Sequence, residues 1–234
     1  MLNMKITLQI KLIPDGTQHA ALLDTMKVFN DACCFIAEVA HREKCVSKFA
    51  LQKLTYHAVR AQFGLSAQMA ILAVHKVVGA YRRDTSIQCS FKPDGAIAYD
   101  QRVLSFKGLE KASILTVEGR MTIPMQMGEY QKVQFGRAHG QADLVLRDGV
   151  FYLLLVVDTP AAPAIEPAGF IGVDLGIVRI ASDSDGECFD GGPVEKTRAR
   201  YHKQRQALQS CGSRSATRRL KKISKKESNF RRGM

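Results

Sequence analysis

Residues Lys5–Ile13 alternate without interruption: Ile6, Leu8, Ile10 and Leu12 fall on one side, and Lys5, Thr7, Gln9 and Lys11 on the other. That period of two is the mark of a half-buried strand. No second stretch of strand character follows for some seventy residues. Pro14-Asp15-Gly16 ends the strand, and Thr17 is placed to cap a helix in which Leu22, Met26, Phe29, Cys33 and Ile36 form a one-sided apolar stripe. Ser47 opens a second helix running to about Phe63, with Gly64 placed to stop it. Ser66 opens a third to about Arg83, with Ala70, Val74, Val77 and Tyr81 on one face. Short strands return only from Ile87 to Asp158. Hairpin turns are expected there at Pro93-Asp94-Gly95 and at Asp148-Gly149, the latter joining Asp143–Leu146 to Val150–Val157. The simplest account is a small antiparallel barrel, residues 1–16 and 85–158, with a three-helix insertion at 17–84. The Pro/Ala stretch Thr159–Pro167 then marks a linker, taken as 159–168.

Composition narrows the class. Hydrophobic residues make up 46% of the 234, which supports a real core and argues against global disorder. No apolar run reaches the length of a membrane span, and the first residues lack a secretory pattern. Cys33, Cys34, Cys45, Cys89, Cys188 and Cys211 contain no Cys-x-x-Cys pair, so neither a structural zinc site nor a disulfide framework is expected, and a reducing cytosol fits. Cys33-Cys34 reads as packed thiols beside the apolar stripe. The six histidines are scattered and assemble no site.

The charge is concentrated. Residues 1–194 carry 20 Lys and Arg and 20 Asp and Glu; residues 195–234 carry 14 Lys and Arg against Glu195 and Glu227, and so hold the whole net +12. Two helices are expected there, 195–210 and 214–231, interrupted at Gly212-Ser213. The second turns Leu220, Ile223 and Phe230 inward and carries Arg214, Arg218, Arg219, Lys221, Lys222, Lys225, Lys226, Arg231 and Arg232 on its other faces. Such a block suits a phosphate backbone, where counterion release drives binding; its bland counterpart is a solvated basic tail or a structural bundle.

Just ahead of the basic block lies an apolar strand interrupted by one acid, Phe170-Ile171-Gly172-Val173-Asp174-Leu175-Gly176. Ile177–Ser182 reads as a second strand, Asp183-Ser184-Asp185-Gly186 as a hairpin turn, and Glu187-Cys188-Phe189 as the start of a third. An acid buried on a central strand of such a sheet can anchor divalent metal for phosphodiester chemistry, or the nucleotide site of an actin-like ATPase. The second needs a small-hydroxyl phosphate loop after the acid, where this chain has Ile177-Val178, and a second phosphate loop far downstream.

Taken in order, these residues resemble the TnpB/OrfB proteins of bacterial and archaeal transposons, relatives of the type V CRISPR effector nucleases. The matching positions are Gly172–Ile177, Ala181–Glu187, Arg218-Arg219-Leu220-Lys221-Lys222-Ile223 and Phe230-Arg231-Arg232, with the Lys5–Pro14 strand, the Ser66–Tyr81 helix and Gly140–Leu144 upstream. The resemblance spans essentially the whole chain. It implies an α+β fold: a wedge-type barrel, a helical recognition insertion, and over 169–234 part of a RuvC-type nuclease domain of ribonuclease H-like fold. It also implies a guide RNA from the transposon end and a target DNA as partners, Mg²⁺ as the cofactor of the complete site, and a prokaryotic cytoplasmic location. Asp174 matches the first RuvC carboxylate, catalytic and metal-binding. Gln68 lies where the family reads the target-adjacent motif, and Lys53 is a weaker candidate.

A two-metal site needs further acids to bridge and hold its ions. The resemblance puts them on a later strand and helix, beyond the family position of Met234. Asp183, Asp185, Glu187 and Asp190 are expected to serve turns and face solvent. The expectation is therefore a chain that binds nucleic acid and does not cut alone, unless a separate chain supplies the remaining acids. The alternative is a catalytically dead RNA- or DNA-binding remnant or regulator, and a remote one an actin-like ATPase fragment.

Overall fold

The structure is a computed structural model that describes residues 3–82, 86–136, 138–160 and 166–233. It is α+β, and the chain divides into two compact units, Met1–Ala162 and Pro163–Met234. Among the described residues no helix is long and apolar enough to cross a membrane.

The first unit is built on seven antiparallel strands: β1 (Asn3–Leu12), β2 (Ile97–Tyr99), β3 (Leu104–Lys107), β4 (Lys111–Thr116), β5 (Gly119–Gln126), β6 (Ala138–Arg147) and β7 (Val150–Pro160). Their order across the sheet is β2-β6-β7-β1-β5-β4-β3. The two edge strands, β2 and β3, are therefore neighbours in sequence, joined only by residues 100–103. So short a link draws the two edges together and curls the sheet into a nearly closed barrel. Tyr99 Oη on β2 spans the gap, donating to the Leu115 carbonyl on β4 at 3.0 Å. β1 pairs with β7 from Asn3↔Pro160 to Lys11↔Tyr152 but with β5 only at Lys11↔Gln126 and Leu12↔Met125, so the wall opens beside it. Its apolar set faces inward as the alternation requires: Leu8 and Ile10 are buried opposite Leu155 and Leu153 of β7, and Leu12 opposite Met125 of β5. Each such side chain contributes roughly 1.5–3 kcal/mol. Asp148 (φ 51°) and Gly149 (φ 80°) both take the left-handed conformation that a two-residue hairpin between β6 and β7 demands.

Between β1 and β2 lie α1 (Gly16–Arg42), α2 (Lys48–Phe63) and α3 (Ala67–Tyr81). The α1 stripe Leu22, Met26, Phe29, Cys33 and Ile36 is fully buried, as is Tyr81 of α3, whose hydroxyl donates to the Ala37 carbonyl at 3.0 Å. The cap of α1 is Asp15, not Thr17. Asp15 Oδ1 accepts the Gln18 amide at 2.8 Å and Gln18 Oε1 accepts the Asp15 amide at 3.2 Å, which leaves Thr17 inside the first turn. Gly64 (φ 64°) ends α2, and Ser66 caps α3 by accepting the Met69 amide at 3.3 Å. Arg83, the expected end of α3, lies outside the described residues, as do 161–165 of the expected linker.

Pro93–Gly95 is a turn but not a hairpin, because residues 86–92 just ahead of it form no strand. It closes on the helices instead: fully buried Asn30 donates to the Met26 and Gly95 carbonyls, both at 2.8 Å, and accepts Lys76 Nζ. A short helix without sequence warning, α4 (Glu129–Phe135), links β5 to β6 and stacks Phe135 edge-on against Phe106, ring centroids 4.9 Å apart.

The second unit holds a three-stranded antiparallel sheet, β8 (Val173–Asp174), β9 (Arg179–Asp183) and β10 (Cys188–Asp190), in the order β10-β9-β8. The helices α5 (Gly192–Cys211) and α6 (Arg214–Arg232) follow. Ile177 and Val178, expected in the second strand, form a bend instead. The Gly191 amide donates to the Val178 carbonyl at 2.9 Å, so the bend cradles the start of α5, which opens before residue 195. The Asp183–Gly186 turn forms as expected: Asp183 Oδ1 accepts the amides of Asp185 (3.1 Å) and Glu187 (2.8 Å). Gly212 (φ 60°) ends α5, and Ser213 caps α6 by accepting the Ala216 amide at 3.1 Å.

Candidate nucleic-acid interface

α6 docks on α5 through one face. Ala216 is buried, Leu220, Ile223 and Phe230 are half-buried, and the Phe230 ring lies 6.3 Å from that of Tyr201 on α5. Glu227, on the same face, meets Arg205 of α5 at 3.3 Å and Arg231 at 2.6 Å. With that face fixed, 3.6 residues per turn send the cations outward in two rows. Arg214, Arg218, Lys221, Lys225 and Arg232 run along the side opposite α5. Arg219, Lys222 and Lys226 run along one flank. All eight are exposed. Among the described residues Arg232 bonds only Ser228 Oγ (3.3 Å), and the other seven have no ion-pair or hydrogen-bond partner. Like charges this close repel one another and destabilise the helix slightly, and a polyanion relieves that repulsion while releasing counterions.

The two candidates in the first unit have separate surroundings. Lys53 is exposed on α2, with no hydrogen-bond or ion-pair partner among the described residues. Gln68, in the first turn of α3, is tied down at both ends of its amide: Nε2 donates to the Asp100 carboxylate, and Oε1 accepts Arg102 Nη1 at 2.9 Å. Asp100 Oδ1 also accepts the Arg102 amide at 3.0 Å, and Arg120 Nη2 holds the Arg102 carbonyl at 2.9 Å. Sequence reasoning missed Asp100 and Arg102; their one local signal is a polar Asp-Gln-Arg run between two strand patterns.

Beside this network a cleft of about 390 Å³ is lined by His75, Lys76, Gln141 and Asp143. Burial lowers the Lys76 ammonium from its ordinary value, against the opposing pull of Cys33, Asp143 and Cys34. Lys76 Nζ is held by the Ala96 carbonyl at 2.7 Å and lies 5.1 Å from the Phe91 ring centre. Partial burial raises the Asp143 carboxyl, opposed by a Gln141 hydrogen bond and by Lys76. Burial, then Lys48, lowers His75, against Asp100; its Nε2 is buried with no hydrogen-bond partner among the described residues. Cys33, fully buried, has its thiol pushed up to about 12, so it stays an inert core thiol.

Asp174 is exposed, on the edge strand of its sheet rather than on a central one. Its strand is held by Ser184, whose Oγ accepts the Gly172 amide at 3.1 Å and whose amide donates to the Gly172 carbonyl at 2.8 Å. Of the nearby acids, Asp183 serves its turn, and Asp190 Oδ1 accepts the Gly192 amide at 3.0 Å at the start of α5. Asp185 and Glu187 are exposed. Among the described residues no three His, Cys, Asp or Glu side chains gather closely enough to hold a metal ion. The described residues therefore do not fit the donor set of a two-metal nuclease centre.

Residues 154–234 match the family model OrfB_IS605, described as a probable transposase. The match takes in the end of β7, the β8–β10 sheet and both basic helices, and it supports the TnpB/OrfB resemblance over that span. No curated protein matches the chain.

Proposed function

We propose that this chain is a TnpB-like, transposon-encoded nucleic-acid-binding protein whose α5–α6 hairpin grips a guide RNA. The observation that carries the reading is the set of seven exposed cations on α6 without partners among the described residues, inside the span that matches a transposase family. In this reading the barrel acts as the wedge domain, residues 17–84 as the recognition insertion, and 169–234 as part of a RuvC-type domain, at work in a prokaryotic cytoplasm. Target DNA is the second partner. Lys53 and the Gln68 network lie toward the target-adjacent motif, with Gln68 exchanging its Asp100 and Arg102 contacts for base edges.

Asp174 is the first acid of a nuclease site that this chain does not complete by itself. The chain alone binds and does not cut. Cleavage requires the remaining acids of the family site, and Mg²⁺ belongs to that complete site. A member that only binds, as a regulator or decayed remnant, is favoured over a self-sufficient nuclease because, among the described residues, Asp174 belongs to no metal-holding group of three His, Cys, Asp or Glu side chains.

Filter binding of structured RNA across a salt series tests the reading. With several phosphates engaged, affinity falls steeply with salt, by about 0.9 in log–log slope per duplex phosphate contact. Changing Arg214, Arg218, Arg219, Lys221, Lys222, Lys225 and Lys226 together to Gln should flatten the slope and abolish binding. Affinity indifferent to salt, or unaltered by those changes, overturns it.

A further inference from the structure

The two flanks of the α5–α6 hairpin are unlike. On one, Glu227 of the docking face holds both Arg205 and Arg231, so those two cations share one anion. On the other lies an open cleft of about 460 Å³. Its floor is aliphatic, made by Ala207 and Leu208 of α5 and Ile223 of α6. Its wall is cationic, made by Arg219, Lys222 and Lys226, which have no partners among the described residues. Gln204 adds an amide with both a donor and an acceptor. The cleft falls within the roughly 300–1,000 Å³ of ordinary ligand sites.

From this geometry we infer that the cleft receives an unpaired nucleotide of RNA, base against the aliphatic floor and phosphates on the cationic wall. The inference rests on the nucleic-acid reading above and adds to it which part of the RNA is read. A paired duplex keeps its bases stacked inside and offers phosphates alone; the outer row of Arg214, Arg218, Lys221 and Lys225 satisfies it and leaves the floor wet. An unpaired nucleotide carries an apolar ring and an anion in one residue, which is what this cleft combines. Arg219 supplies a guanidinium plane for stacking, and Gln204 a polar partner for a base edge. A second copy of the chain is disfavoured as occupant, since residues 195–234 of each copy carry the whole +12. An acidic amphipathic helix would match the cleft, but not the cations that continue around α6 beyond it.

The test compares three RNAs on the full chain: a hairpin with an unpaired loop, a blunt duplex of the same length, and the hairpin with abasic loop positions. Ala207→Phe fills the cleft from an exposed position without changing charge. Wild type should prefer the looped RNA to the duplex by about tenfold at physiological salt, and lose that preference with the abasic loop. Ala207→Phe should bind the duplex as wild type does and all three RNAs alike. If duplex and loop bind with a normal salt slope, but neither the abasic loop nor Ala207→Phe matters, the cleft assignment falls and the basic-hairpin reading stands. If no RNA binds in a salt-dependent way, both fall. An acidic helical peptide whose binding is lost in Ala207→Phe, while all RNA affinities are unchanged, overturns the cleft assignment in favour of a protein partner.

Discussion

Glu227 on α6 meets Arg205 on α5 at 3.3 Å, and it is the only carboxylate on either basic helix besides Glu195. Its side chain keeps 14% of its exposure, so water screens the pair less than it screens a rim contact. Glu227→Gln should lower hairpin stability by about 1 kcal/mol, read as a drop in helix melting by circular dichroism. The same change frees two arginines and should tighten RNA binding.

Asn30 joins three segments that are remote in sequence: its own helix, the Pro93–Gly95 turn and Lys76 of α3. Asn30→Ala leaves the half-buried Gly95 carbonyl and the half-buried Lys76 ammonium short of partners, and should cost about 2 kcal/mol. Urea denaturation should show a lower midpoint at an unchanged slope.

His75 sets an acid limit on the first unit. Its folded pKa lies below the ordinary 6.5, so its stabilising contribution is full above that pH and is lost as pH falls through the folded value. The melting temperature should therefore decline on acidification below pH 6.5, and His75→Leu should reduce that decline. An identical pH profile in the variant would refute the assignment.

Gly191 sits where a Cβ would meet the Ile177 carbonyl oxygen at 2.7 Å and the Val178 carbonyl oxygen at 2.9 Å. Both are backbone atoms that cannot swing aside. Gly191→Ala should cost the second unit about 1–3 kcal/mol. Limited proteolysis should then show faster cutting after residue 166, with the barrel unit as resistant as before.

Asp174 is exposed, and its side chain makes no hydrogen bond among the described residues. Asp174→Ala should change stability by less than about 0.5 kcal/mol and leave RNA affinity unchanged, measured by thermal melting and filter binding.

The parts of the fold legible in the sequence are those set by local periodicity or local caps. The β1 alternation, the α1 stripe, Gly64, Ser66, Asp148-Gly149 and Gly212 all act within a few residues of themselves. Thr17 has the side chain of a cap, but the reciprocal bonds with Gln18 give that role to Asp15. β8 is two residues long because the chain turns at Gly176, whose amide reaches back to the Ile180 carbonyl at 3.4 Å. Hydropathy carries no record of that turn. The basic rows of α6 could be read from the chain because a helix period fixes them. The restraint on Gln68 could not, because Asp100 and Arg102 are more than thirty residues away and reach it only through the barrel link.

The pairing of β1 with β7 has a consequence for how the protein is made. Strand Asn3–Leu12 leaves the ribosome well before its long partner, which runs to Pro160, so the barrel wall cannot form until that partner has been synthesised. Until then an apolar strand waits with unsatisfied backbone groups, while the helical insertion can fold as soon as it emerges. Synthesis order thus makes the helices the first ordered part of the molecule. It leaves strand Asn3–Leu12 as the segment of this unit that most needs protection from early aggregation.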